Sequence, residues 1–149
     1  QMDVEAGLTT AAPVSSVLAR VDDLSAYPSW MSLVHSAIRV EGEQPPTWNV
    51  ELRASVGPLA RSKRLRLVRS EYAKIGDVHR VVFERRETDG RTHAMWRLTV
   101  TVTEAAGRTS LTMHLHYDGR FFVGVVESIL RQHIEAGRAR LSELFAAND

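Results

Sequence analysis

A chain of 149 residues of which 44% are hydrophobic is of one-domain size and apolar enough to build one sizeable core. Its 19 basic and 18 acidic side chains leave a formal net charge of +1, which argues against the basic footprint of a nucleic-acid binder. With no cysteine, disulfides and thiolate metal sites are excluded, and a reducing, cytoplasmic setting is expected.

The domain is expected to span residues 2–149, Gln1 before Met2 being read as a remnant of expression. Residues Asp3 to Leu8 suit a first strand, and Thr9-Thr10 lead into Ala11-Ala12-Pro13, where proline fits the first turn of a helix. Val14, Val17, Leu18 and Val21 fall on one helical face, so a helix is expected to about Asp22. A short second helix through Leu24 ends near Tyr27-Pro28, because the residue before a proline is pushed out of the helical region.

From Leu33 to Asp118 the period becomes two. Trp48, Val50, Leu52, Ala54 and Val56 alternate with polar residues, as do Ala94, Trp96, Leu98, Val100 and Val102, then Leu111, Met113, Leu115 and Tyr117. Alternation with one wet face indicates an antiparallel sheet covered on a single side. Turn signals at Pro45-Pro46, Gly57-Pro58, Gly76-Asp77, Asp89-Gly90 and Gly107 divide the region into about six strands.

After Asp118-Gly119 the helical period returns. Val123, Val126, Leu130, Ile134, Gly137, Leu141 and Leu144 form one stripe on a helix of about 25 residues, roughly 37 Å long. The longest wholly apolar run, Phe121 to Val126, is far short of the roughly 20 residues that cross a bilayer, so no integral membrane segment is expected. The class is therefore α+β, an antiparallel sheet of about seven strands with two short helices after the first strand and a C-terminal helix long enough to lie across the whole inner face of a curved sheet.

This order of elements is that of the helix-grip fold, and particular residues sharpen the comparison. Ala12-Pro13, Val17-Leu18, Asp22, and Tyr27-Pro28-Ser29-Trp30 followed by Val34 resemble the N-terminal signature of the START-like (SRPBCC) superfamily that includes Bet v 1. Within it, the polyketide cyclase/dehydrase and coenzyme Q-binding group is most similar. The resemblance implies a curved sheet wrapped around the final helix, with an apolar cavity between them that holds a hydrophobic or amphipathic small molecule. It implies no reaction, since the superfamily includes carriers, sensors, cyclases and co-chaperones.

Strand phase puts Trp48, Val50, Leu52, Leu65 and Leu67 on the concave face, with Trp96, Leu98, Met113, Leu115 and Tyr117, and Phe83 from a less regular strand. Val126, Leu130 and either His133 or Ile134 approach from the helix, and Trp30 either seals or borders the cavity or serves packing alone. The polar candidates are few. Tyr117 shares the inward phase and has the chemistry of a hydrogen-bond or proton donor, His133 that of a proton carrier, and Arg69, like Lys63, shares the phase of Leu65 and Leu67 and offers a cation for a carboxylate or enolate. Against these roles stand a rim tyrosine, a flanking histidine, and a basic chain reaching solvent. Gly137 in mid-helix costs roughly 1 kcal/mol against alanine, which hints at a close approach.

Other signals read as surface. His114-x-His116-x-Asp118 has metal-ligand spacing, yet its phase opposes Met113 and Leu115, so no native metal is expected there. Arg61, Arg64, Arg66 and Arg69 do not outweigh the balanced charge, and Glu84 and Glu87 fall on opposite faces. No nucleophile elbow, phosphate loop or zincin helix appears. The expectation is non-covalent binding of a lipid, quinone or polyketide-like molecule, with no cofactor. A polyketide aromatase/cyclase or dehydrase using Tyr117, Arg69 or His133 is the alternative, and a protein-interaction or co-chaperone-like role is a third. The oligomeric state is left open.

Overall fold

The computed structural model describes residues 1–119 and 125–147 of the chain, apart from the side chains of Val56, Leu59, Val125 and Val126. Strand β1 (Met2–Thr10) leads to helix α1 (Val14–Val21) and a 3-10 helix over Leu24–Ser29. Six strands follow: β2 (Val34–Arg39), β3 (Thr47–Val56), β4 (Leu59–Ile75), β5 (Val78–Arg85), β6 (Trp96–Ala105) and β7 (Arg108–Tyr117). Helix α2 (Val125–Ala146) completes the described chain. At 22 residues it is about 33 Å long. The expected stripe member Val123 and the side chain of Val126 lie outside the described residues.

All seven strands join one antiparallel sheet in the order β1-β7-β6-β5-β4-β3-β2. Strands β2 to β7 are sequential neighbours, and β1 closes onto β7 with Met2 opposite Tyr117 and Thr10 opposite Thr109. The tight connections are where glycine was expected. Between β6 and β7 both Ala106 (φ 55°) and Gly107 (φ 76°) take positive φ, the requirement of a two-residue turn that matches strand twist. Ala94 differs from expectation: it lies in the connection before β6, which begins at Trp96.

The alternation seen in the sequence resolves into two faces. Trp48, Val50, Leu52 and Ala54 of β3, Val81 and Phe83 of β5, and Val100 and Val102 of β6 are buried on the concave side. The convex side carries ion pairs such as Glu84–Arg97, Glu71–Arg80 and Arg53–Glu51. Helix α1 packs against β6 and β7, burying Val17 and Val21, and α2 packs against β1 and β3.

The Tyr27-Pro28-Ser29-Trp30 segment closes this end of the fold. Asp23 caps the 3-10 helix by accepting from the Ser25 backbone N–H at 2.8 Å, which satisfies one otherwise orphaned donor. Tyr27 donates its hydroxyl to the Val21 carbonyl, and the Trp30 indole donates to the Arg20 carbonyl, tying the turn back to α1.

Candidate functional site

A cavity of about 110 Å³ lies between the concave face, the 3-10 segment and α2. Val50, Leu52, Leu65 and Leu67 line it from β3 and β4. Trp96, Leu98, Leu111, Met113 and Leu115 contribute from β6 and β7, and Val4, Ala6, Gly7 and Leu8 from β1. Trp30, Met31 and Leu33 border it beside the 3-10 helix, and Ile134, Arg138 and Leu141 come from α2. Arg138 is the one charged side chain among the described residues that line it.

Of the residues expected to face a ligand, Trp30, Leu52, Leu67, Trp96, Leu98, Met113 and Leu115 border this cavity. Trp48 and Phe83 do not. They are fully buried at the adjoining end of the concave face, their rings 5.7 Å apart edge to face, with Tyr27 6.2 Å from Phe83 and Trp30 4.8 Å from Tyr27. The Trp48 indole is committed to Ser25 Oγ at 3.0 Å and Asp23 Oδ1 at 3.2 Å. That end of the molecule is solid aromatic packing, and Leu130 likewise packs in the core without bordering the cavity.

The three candidate catalytic residues are also elsewhere. Tyr117 is buried beyond the cavity, its ring 5.0 Å from Trp96 and 5.7 Å from Lys63 Nζ. Burial, and then the neighbouring Arg85 charge, pull the Lys63 ammonium pKa down. His133 turns toward the loop before β2, its Nδ1 2.7 Å from Ser32 Oγ, leaving Ile134 as the inward member of the pair. Arg69 does follow the phase of Leu67, but its guanidinium donates to the Asp22 carbonyl at 2.9 Å and lies over the Tyr72 and Trp48 rings at 4.4 and 6.0 Å. It serves the C-terminus of α1, where a cation also complements the helix dipole.

Tyr27 borders the cavity as a neutral group. Burial, reinforced by Asp22 and Asp23, pushes its phenol well above the ordinary value, and its hydroxyl is already donated to Val21. Gly137 marks a close approach to protein rather than to the cavity itself: a Cβ there would stand 2.6 Å from Met31 Sδ and 3.4 Å from Trp30 Cζ3. The glycine lets α2 settle onto the 3-10 segment.

The residue overlooked in the sequence is Arg138. It stands four after Ile134 and three before Leu141, hence on their helical face. The spacing was there to be read, but charge argued for solvent. Its side chain instead borders the cavity, while its guanidinium forks onto Glu135, with Nε 3.0 and 2.9 Å from the two carboxylate oxygens and Nη2 also on Oε1.

As their phase implied, His114 and His116 lie on the outer face of β7, half-buried, with Asp118 exposed just beyond the strand. His114 Nε2 and His116 Nδ1 lie 3.0 and 2.9 Å from Asp3 Oδ1 on β1, and His116 Nε2 lies 3.0 Å from Asp118. These atoms satisfy one another across the β1–β7 pair.

A seven-stranded antiparallel sheet gripping a C-terminal helix over an apolar cavity defines a START-like helix-grip protein. The chain belongs to the family described as polyketide cyclase / dehydrase and lipid transport, whose profile matches residues 1–146. Among solved structures, a START superfamily protein from Mycobacterium smegmatis is similar at TM-score 0.68 and 16% identity, covering 99% of each chain. The Zhui aromatase/cyclase from Streptomyces sp. R1128 superposes at TM-score 0.63 with 17% identity, over 97% of this chain and 93% of the other. The human StarD13 lipid transfer and protein localization domain gives 0.65 with 18% identity, over 96% and 76%. At these identities the likeness is one of fold. A search of curated proteins by sequence returns no match.

Proposed function

We propose that this protein binds a hydrophobic or amphipathic small molecule, of lipid, quinone or polyketide-like character, in the cavity between the sheet and α2, without covalent chemistry. The observation that carries the reading is the lining: aliphatic and aromatic side chains around about 110 Å³, with a single charged group among the described residues. Ligand sites are typically apolar hollows with a few orienting polar groups. Family membership and the lipid-transfer likeness support the same reading.

Size refines it. A dry cavity of about 150 Å³ holds benzene, so about 110 Å³ accommodates four or five carbons without rearrangement. At ~0.8 kcal/mol per buried methylene, that hydrocarbon contributes about 3–4 kcal/mol before the cost of association. The resting cavity thus receives one short apolar portion of a ligand, and a longer chain requires it to widen. The cyclase alternative is less well supported, because Tyr117, Arg69 and His133 border no part of the cavity.

The test is to fill the space. Ala6 lines the cavity from β1, and Ala6→Leu adds three carbons to it. In the wild type, titration with pentan-1-ol is expected to shift the emission of Trp30 and Trp96. In Ala6→Leu, with an unchanged circular-dichroism spectrum, affinity is expected to fall at least tenfold. No spectral response in the wild type, or equal affinity in the variant, would remove the cavity from consideration as the binding site.

A further inference from the structure

The position of Arg138 narrows the ligand class, on the reading that the cavity is a binding site. Its side chain lines the cavity and is also 33% exposed, so it stands at the boundary between apolar interior and water. The wall contributed by β1, against which α2 packs, is of the same kind: Ala6 and Leu8 are half-buried, Gly7 is exposed, and all three line the cavity. Glu135, one helical turn before Arg138, accepts the guanidinium fork yet does not border the cavity, and its side chain is 64% exposed.

A planar guanidinium is matched to a carboxylate held by two parallel hydrogen bonds. Here that partner is an internal carboxylate on the solvent side, free to turn outward, since an exposed ion pair on a helix contributes little to stability. A ligand with an apolar tail in the cavity would carry its head to this boundary. We propose that the ligand is an anionic amphiphile, a carboxylate-headed hydrocarbon whose carboxylate replaces Glu135 on Arg138. Glu135 then acts as an occupant that keeps the arginine oriented while the cavity is empty and sets a threshold against neutral or weakly anionic heads. The exchange swaps one fork for another without proton transfer or bond breaking.

The experiment compares pentanoate with pentan-1-ol, which share a hydrocarbon short enough for the resting cavity, by chemical-shift titration of the folded protein at neutral pH. Pentanoate is expected to bind at least tenfold more tightly than pentan-1-ol. Arg138→Gln is expected to bring the two affinities together, pentanoate losing at least fivefold more than pentan-1-ol. Glu135→Gln should tighten pentanoate severalfold, and Arg138→Lys should give an intermediate preference, keeping charge but losing the fork. Equal affinities of the two probes for the wild type would overturn the anionic-head assignment and leave the cavity reading intact. Absence of binding by either probe would overturn both. A preference for pentanoate that survives in Arg138→Gln would place the anion elsewhere and refute the role of Arg138.

Discussion

Arg69 shows how strand phase names a direction without naming a destination. Its side chain shares the inward phase of Leu65 and Leu67, but the β4–β5 register shifts between Arg69 and Glu71, and a bulge re-aims the residue beside it. The guanidinium therefore meets the Asp22 carbonyl and the faces of Tyr72 and Trp48 instead of the cavity. Tyr72 completes the joint by donating its hydroxyl to Asp22 Oδ2 at 2.7 Å. Arg69→Ala removes a charged hydrogen bond and a cation over aromatic rings at a half-buried site, and is expected to cost about 1–2 kcal/mol. Urea unfolding should record that loss while pentan-1-ol affinity stays within twofold. A variant of full stability, or one that loses the alcohol, would contradict the assignment. Arg138 is the converse case: its helical spacing put it on the cavity face, and only its charge argued otherwise.

The β1–β7 pair is an element whose stability depends on pH through its outer face. Asp3 faces both histidines of β7, and each ring nitrogen of His116 faces a carboxylate. The hydrogen bond to Asp3, followed by that to Asp118, raises the His116 pKa above its ordinary value. Asp3 is held below the usual carboxylate value, chiefly by its hydrogen bond to His116. A raised histidine contributes stability that is fully present below about pH 6.5 and fades as pH rises through the folded-state value. The depressed aspartate contributes above about pH 3.8 and fades as pH falls. The two windows overlap in mildly acidic solution. His116→Gln is therefore expected to destabilise most near about pH 5.5 and least near about pH 8.5, with the difference shrinking in high salt. Thermal unfolding of both proteins at the two values checks this, and an equal or larger deficit at the alkaline value would show that the ion pairs are not responsible. These contacts were not legible in the sequence. Alternation placed the histidines outward, but pairing β1 with β7 across more than a hundred residues is what brings Asp3 to them. Alternation also made β3, β6 and β7 legible with their correct faces, because one side of each strand is dry and the other wet. It could not separate Trp48 and Phe83, which pack edge to face against each other, from Leu52 and Met113, which border space, since both groups are apolar and inward.

At the scale of the whole molecule, the small cavity raises the question of which wall yields to a larger ligand. The sheet is a continuous ladder of six antiparallel pairings from β1 to β2, and opening it would break backbone hydrogen bonds whose unmet partners are costly to bury. Helix α2 satisfies its backbone internally and meets the rest of the fold through side chains, against edge strand β1 and against β3, next to the other edge. It spans the seam between the two margins of the sheet, and Ile134, Arg138 and Leu141 face the cavity from it. The cheaper movement is displacement of α2, with Gly137 and Met31 as the close contact that must slide. A ten-carbon carboxylate, decanoate, exceeds the four or five carbons that the resting cavity holds and should enter by that route. Once bound, it must leave before α2 can undock and exchange its amides. At a decanoate concentration of about 100 times Kd, linkage adds about 2.7 kcal/mol to that opening, and amide exchange in the Ile129–Leu141 part of α2 is expected to slow about 100-fold. Hydrogen-exchange mass spectrometry resolves the helix from the strands. Unchanged α2 exchange in the presence of bound decanoate would mean that the helix opens without releasing the ligand, and would transfer the gate to another wall of the cavity.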